Sequence, residues 1–259
     1  MVERAELIEH VNTLISSTSI EDVWKMHVAR MREFGFDRMI YGSTRFRTHG
    51  EFGDVSDALV LTNHDKAYMD IFFGRELYLV APMAVWAAHN TGACSWQWAR
   101  DRQESGSLTE REVEVMDINE KMGVNAGYSI AFPDSSHRSK GGIGLCARAG
   151  LTQRDVDILW AKDGAEILML NYLMNLKITN LPYTGMRQTL TNRQREVLQW
   201  VADGKTMQDI AVILDLNTAT IEKHLRLARE NLNVETTAQA VVKASIQNQF
   251  FLFEGQRIN

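Results

Sequence analysis

The stretch Leu190-Thr191-Asn192-Arg193-Gln194-Arg195-Glu196-Val197-Leu198 decides how the last quarter of the chain is read. Thr191 stands where an N-cap belongs, and Val197, Leu198 and Val201 follow on one face of the helix it opens. Gly204 stops that helix. Thr206 caps a second, Met207 to Leu214, which turns Ile210, Ala211 and Leu214 inward. Asp215-Leu216 is a short turn, and Asn217 or Thr218 caps a third helix to about Leu232, with Ile221, Leu225, Ala228 and Leu232 on its inner face. A fourth helix, Thr237 to about Ile246, closes the bundle. Four short helices with one tight turn between the second and third form the pattern of a helix-turn-helix, whose recognition helix lies in the major groove of DNA.

The outward positions of the third helix suit that task. Lys223, Arg226 and Arg229 can bind phosphates, while Thr218, Ala219 and Thr220 near its start can approach base edges; Glu222 and the cap Thr206 complete the candidate set. Residues 185–259 hold nine Lys/Arg and eight Asp/Glu, so any affinity must come from a local patch. A formal charge of −5 over all 259 residues likewise rules out a global basic field. Taken alone, the same charges fit a solvated helix face equally well.

Working backwards, Thr179-Asn180-Leu181-Pro182-Tyr183-Thr184-Gly185 loses the helical pattern and carries Pro and Gly, which places a linker at 178–189. It separates a first domain, 1–177, from a second, 190–259. The first domain opens with two helices, Arg4 to Ser17 and one starting at Ser19. Strands follow at Met39–Phe46 and, after a Gly-rich turn, Ala58–Thr62. Lys66 to Arg75 is a helix carrying Tyr68, Phe72 and Phe73, and Pro82 opens a short helical or irregular stretch with Trp86 and His89. Ser107 and Thr109 are candidate caps for a helix to about Met122. Gly127–Phe132 and Gly142–Ala147 are strands around a polar hairpin, and a long helix runs from Gln153 to about Lys177. The fold class is therefore α+β: an α/β/α sandwich followed by an all-α four-helix domain.

Other chemistry is not signalled. Cys94 and Cys146 have neither metal-type nor disulfide-type spacing, which suits a reducing cytoplasm and small core residues. The opening MVERAELIEH is charged and no long apolar run follows, so neither a signal peptide nor a membrane span is expected. His137 beside Ser135 and Ser136 lacks an orienting partner and reads as a surface turn. No metal, cofactor or enzymatic activity is expected.

Taken together, 190–198, Gly204-Lys205-Thr206, Asp209-Ile210-Ala211, Thr220-Ile221-Glu222-Lys223-His224-Leu225, Leu232-Asn233-Val234 and Thr237-Ala238-Gln239-Ala240-Val241 resemble the DNA-binding domain of LuxR-type regulators. Where that family has Lys or another DNA-contacting polar residue, this chain has Glu222. The carboxylate either weakens nonspecific binding by repelling phosphate or reads a cytosine amino group. The first domain is similar to the autoinducer-binding domain of acyl-homoserine-lactone receptors, carried by Leu61-Thr62-Asn63-His64, Tyr68, Phe72, Pro82, Ser95-Trp96, Gly123 and Gly127. That resemblance implies a quorum-sensing regulator in which His64, Tyr68, Phe72, Ala81 and Trp96 line a pocket for a small amphiphile. It also implies a homodimer, with the long helix pairing through Leu170, Tyr172, Leu173 and Leu176.

The departures shape the expectation. Tyr68 stands where the family has Trp, and His64 and Phe72 where it often has Tyr. Ala81 replaces an Asp that accepts from the ligand amide N–H, with Asp65, Asp70 or Glu76 as candidate substitutes. The pocket is thus remodelled for an unusual acyl-homoserine lactone, a different apolar molecule or no ligand. The rival class is a ligand-independent or partner-controlled regulator, whose first domain is only an interaction platform.

Overall fold

Residues 2–47, 55–134, 136–183 and 189–250 are described by the computed structural model. Ser135, the Gly-rich turn at 48–54, Thr184 and Gly185 of the expected linker, and the end of the second domain at 251–259 lie outside them. The chain divides into two compact units, one of residues 1–17 and 21–178, the other of 18–20 and 179–259.

The first unit is built on a five-stranded antiparallel sheet ordered β2-β1-β5-β4-β3. Its strands are β1 (Phe36–Thr44), β2 (Leu59–Thr62), β3 (Gly92–Ser95), β4 (Gly127–Ala131) and β5 (Lys140–Ala147). Helices α1 (Val2–Ser16), α2 (Ile20–Glu33) and α7 (Gln153–Asn180) are joined by α3 (Lys66–Gly74), α4 (Pro82–His89), α5 (Gln97–Glu104) and α6 (Glu110–Lys121). The expected sandwich of sheet and flanking helices is found. Strand β3 and helix α5 were not expected. Strand β3 is only Gly92-Ala93-Cys94-Ser95, too short and too weakly apolar to show a period, and its pairing with β4 creates it.

Strand alternation sorts the side chains between two faces. On one face Tyr41 packs its ring near Trp24 and Phe132 and donates its hydroxyl to Asn175 of α7 at 3.0 Å. Tyr128 stacks on Trp160 of α7 at 3.9 Å, and Phe132 meets Tyr172. His27 of α2 and Asn171 of α7, both fully buried, share a 2.9 Å hydrogen bond across the same layer. Helix α7 continues to Asn180, past the expected end at Lys177. The fully buried Ile178 carries the apolar stripe onward, and Pro182 supplies the first breaker.

On the other face the register aligns Ile40, Gly42 and Thr44 of β1 with Gly144, Gly142 and Lys140 of β5. Gly144 and Gly142 pair in turn with Ser129 and Ala131 of β4. Gly127 is required by its surroundings: a Cβ there would lie 2.1 Å from the Leu145 carbonyl oxygen and 3.0 Å from the Trp96 ring.

The second unit holds α8 (Asn192–Ala202), α9 (Met207–Ile213), α10 (Thr218–Leu232) and α11 (Thr237–Ile246). Thr191, Thr206 and Thr236 form capping boxes with Gln194, Asp209 and Gln239, and Asn217 caps α10 through Thr220 N–H. Val197, Leu198, Ile210, Ile221, Leu225, Ala228 and Leu232 are buried together, as the apolar spacing requires.

Candidate ligand cavity and nucleic-acid interface

A cavity of about 800 Å³ lies against the sheet face that carries Gly42, Gly142, Gly144 and Ser129. The volume falls in the range of small-molecule sites. All five expected ligand residues, His64, Tyr68, Phe72, Ala81 and Trp96, line it. Helix α3 and the residue before its cap supply an aromatic ladder: His64 stacks on Tyr68 at 4.9 Å and Tyr68 on Phe72 at 5.6 Å. Tyr68 and Phe72 belong to a buried cluster with Leu77, Ala81, Val115, Val124 and Cys146, so they are core and cavity wall at once.

The polar groups of the wall are already oriented. Tyr68 donates its hydroxyl to Asn119 Oδ1 at 2.9 Å, and burial pushes its phenol upward, keeping it protonated. Trp96 donates Nε1–H to Ser129 Oγ at 3.0 Å, which leaves the serine proton free to donate. Burial, assisted by the Arg38 charge, lowers His64 to about 4, so its imidazole is neutral around pH 7. Ala81 is buried at the N-cap of α4 and offers only a methyl group.

None of the three substitute carboxylates reaches the cavity. Asp65 and Glu76 are exposed, and Asp70 points away into a 2.6 Å ion pair with Lys66. Helical spacing explains Asp70, which falls off the face that carries Tyr68 and Phe72, while Asp65 precedes α3 as its exposed N-cap. The carboxylates that do line the cavity among the described residues, Glu104 and Glu120, are exposed. Asn119, Ser129 and Lys140 were missed from sequence. For Ser129 and Lys140 the available signal was a polar residue on the strand face shared with Gly142 and Gly144.

The expected DNA-facing residues divide into two groups. Thr218, Glu222, Lys223 and Arg226 are exposed on α10. Lys223 has no carboxylate partner among the described residues, while Arg226 is held 2.5 Å from Glu230. Arg229 does not stand outward as expected: its side chain is 21% exposed, donating to Thr237 Oγ1 at 3.0 Å and Glu222 at 2.9 Å. It ties α10 to α11, and its guanidinium neutralises the Glu222 carboxylate, which softens the expected repulsion of phosphate. The hydroxyls of Thr206 and Thr220 are engaged in their own helix caps.

Comparison with known proteins adds to this geometry. The profile described as "Autoinducer binding domain" matches residues 19–178, and "Bacterial regulatory proteins, luxR family" matches residues 188–244. The transcriptional activator protein LuxR of Aliivibrio fischeri is 24% identical over 193 residues, covering 73% of this chain and 74% of that protein. The HTH-type quorum sensing-dependent transcriptional regulator RpaR of Rhodopseudomonas palustris is 29% identical over 180 residues, covering 69% and 70%. Among solved structures, Escherichia coli SdiA superposes with a TM-score of 0.51 at 13% identity, over 96% of this chain and 99% of that one. The N-acylhomoserine lactone dependent factor CepR2 of Burkholderia cenocepacia gives 0.51 at 17% identity, over 68% and 98%. These two structural likenesses speak to the fold.

Proposed function

The chain belongs to the luxR family of bacterial regulatory proteins, a non-enzymatic family, and from that premise we propose that it is a cytoplasmic, homodimeric regulator switched by an acyl-homoserine lactone. It is a DNA-binding transcription factor with an autoinducer-binding domain. The ligand, the dimer and the residue roles are our reading. The sensor occupies 1–177, the connecting segment 178–189, into which the last turn of α7 extends, and the reader 190–259.

One observation carries the sensing role. The cavity remains open at about 800 Å³ although aromatic side chains wall it, because Tyr68 and Phe72 stack along α3 rather than across the space. A platform domain with no ligand would fill that volume with its own side chains. Ser129 and Asn119 donate to a lactone or acyl oxygen, and the ladder of His64, Tyr68 and Phe72 covers the apolar body. At Ala81 the ligand amide loses an acceptor, so standard lactones bind more weakly than they would to a carboxylate. That loss is about 1.5–3 kcal/mol.

The reader approaches the major groove with α10, presenting Thr218, Glu222, Lys223 and Arg226, while Arg229 braces the helix from behind. Two copies acting on paired half-sites supply the affinity that one slightly basic module lacks. The outer side of α7 suits the pairing of sensors: Ile158 is 63% exposed and Leu176 58%. Leu170, expected on that seam, is instead fully buried toward the sheet.

Thermal melting of the full chain with saturated acyl-homoserine lactones of graded length tests the sensing role. A ligand that binds the folded state raises the melting temperature. A series in which no lactone shifts the transition would sink it.

A further inference from the structure

The contacts around Glu222 choose between the roles open to it. Of the exposed residues that α10 presents, Thr218, Glu222, Lys223 and Arg226, it is the only acid. Arg229 follows two turns later on the same helix. Its Nη2 donates to Glu222 Oε1 at 2.9 Å, and its Nη1 donates to Thr237 Oγ1 of α11 at 3.0 Å. The arginine is mostly buried, whereas the Glu222 side chain is 50% exposed. Glu222 Oε2 accepts no hydrogen bond among the described residues. One oxygen is therefore fixed from behind, and the other stands open to a donor. At this exposure the pair adds little to stability, so its effect is on orientation and charge. A carboxylate that served only to repel phosphate would gain nothing from a guanidinium that cancels its charge.

The chemistry of the groove narrows what the open oxygen can meet. A carboxylate only accepts hydrogen bonds. In the major groove the donors are the amino groups of cytosine and adenine, while guanine and thymine present O6, N7 and O4, which repel it. The amino group of adenine is flanked by acceptors on both sides, its own N7 and the O4 of the paired thymine. That of cytosine has an acceptor on one side only, guanine O6. A single fixed oxygen is thus best matched to cytosine.

We infer that Glu222, held by Arg229, reads a cytosine amino group in each half-site. This rests on α10 lying in the major groove. Glu222 is then a specificity-determining residue, and Arg229 a positioning residue that acts through it.

The test is selection of random-sequence duplexes by the full chain, with a mixture of octanoyl-, decanoyl- and dodecanoyl-homoserine lactones present. The enriched duplex and its single-base variants are then titrated. One position per half-site is expected to require cytosine, with thymine or guanine there weakening binding about tenfold. Glu222→Gln keeps the length of the side chain and adds a donor, so its preferred base is expected to become adenine, whose N6 and N7 match an amide. Arg229→Lys keeps the charge and loses the fork, so cytosine is expected to stay preferred by a smaller margin. A Glu222 that only braced the helix would lower affinity or melting temperature in the Gln variant and leave the preferred bases as they were. That result would overturn the inference. Adenine enriched by the parent chain at the position that Glu222→Gln alters would overturn the assignment to cytosine, and an undiminished margin in Arg229→Lys would overturn the positioning role. Thr218→Ala and Lys223→Ala separate this inference from the reading beneath it. If either alters the selected sequence while Glu222→Gln does not, α10 still reads DNA and only the role of Glu222 falls. If none of the three alters it, or no duplex is enriched, the placement of α10 in the groove fails, and this inference with it.

Discussion

The helix-turn-helix unit and the sensor cavity are assembled by opposite strategies. In the second unit the decisive contacts are local. Thr191, Thr206 and Thr236 each close a capping box within their own helix, and Arg226 meets Glu230 one turn along. In the first unit the cavity wall draws on residues from Ile40 to Arg154, and its polar bonds span the chain, such as Tyr68 to Asn119 and Trp96 to Ser129. A locally specified module tolerates being recognised from a short run of residues. A cavity does not, because its shape depends on which strands pair and in what register.

The strongest way to break that contrast is Leu198→Ala. Leu198 is fully buried in the second unit's core, and its truncation should cost about 2–5 kcal/mol. Thermal melting should show the second unit's transition lowered and the first unit's unchanged, with DNA binding lost. A single transition moving as a whole would show that the two units do not unfold independently.

Next in size is Ala81→Asp, which sharpens the contrast by changing cavity chemistry without touching the reader. If the ligand amide lies beside this N-cap, the new carboxylate should tighten lactone binding about tenfold to a hundredfold by calorimetry. Unchanged affinity would place the amide elsewhere.

The smallest effect belongs to Arg226→Ala. This guanidinium is exposed on α10 but already paired with Glu230. Its removal should weaken binding evenly across DNA sequences and reduce the salt slope by about one. An unchanged salt slope would remove Arg226 from the phosphate contacts, and Lys223, exposed on the same helix, would then carry more of them.

Much of this was legible in the residues themselves. The caps Thr191 and Thr206 and the inner faces of α8 to α10 follow from spacing, because a helix defines its own neighbours three and four residues away. The ladder His64, Tyr68 and Phe72 was legible for the same reason. Other features were not. Arg229 has the same spacing signature as an outward cation, and only the approach of α11 with Thr237 turns it into a brace. Asp65, Asp70 and Glu76 were plausible substitutes for a missing acceptor until the fold left all three exposed and outside the cavity wall.

Local order, then, is what this sequence determined by itself: the helices with their caps, the apolar stripes, the family motifs and the missing carboxylate at Ala81. Tertiary structure alone decided the edge strand β3, the alignment of Gly42 with Gly142, and the place of Lys140 in the cavity wall. The physical reason is range. Helical hydrogen bonds close within one turn and can be read from consecutive residues, whereas sheet register and a cavity wall are set by partners far away along the chain.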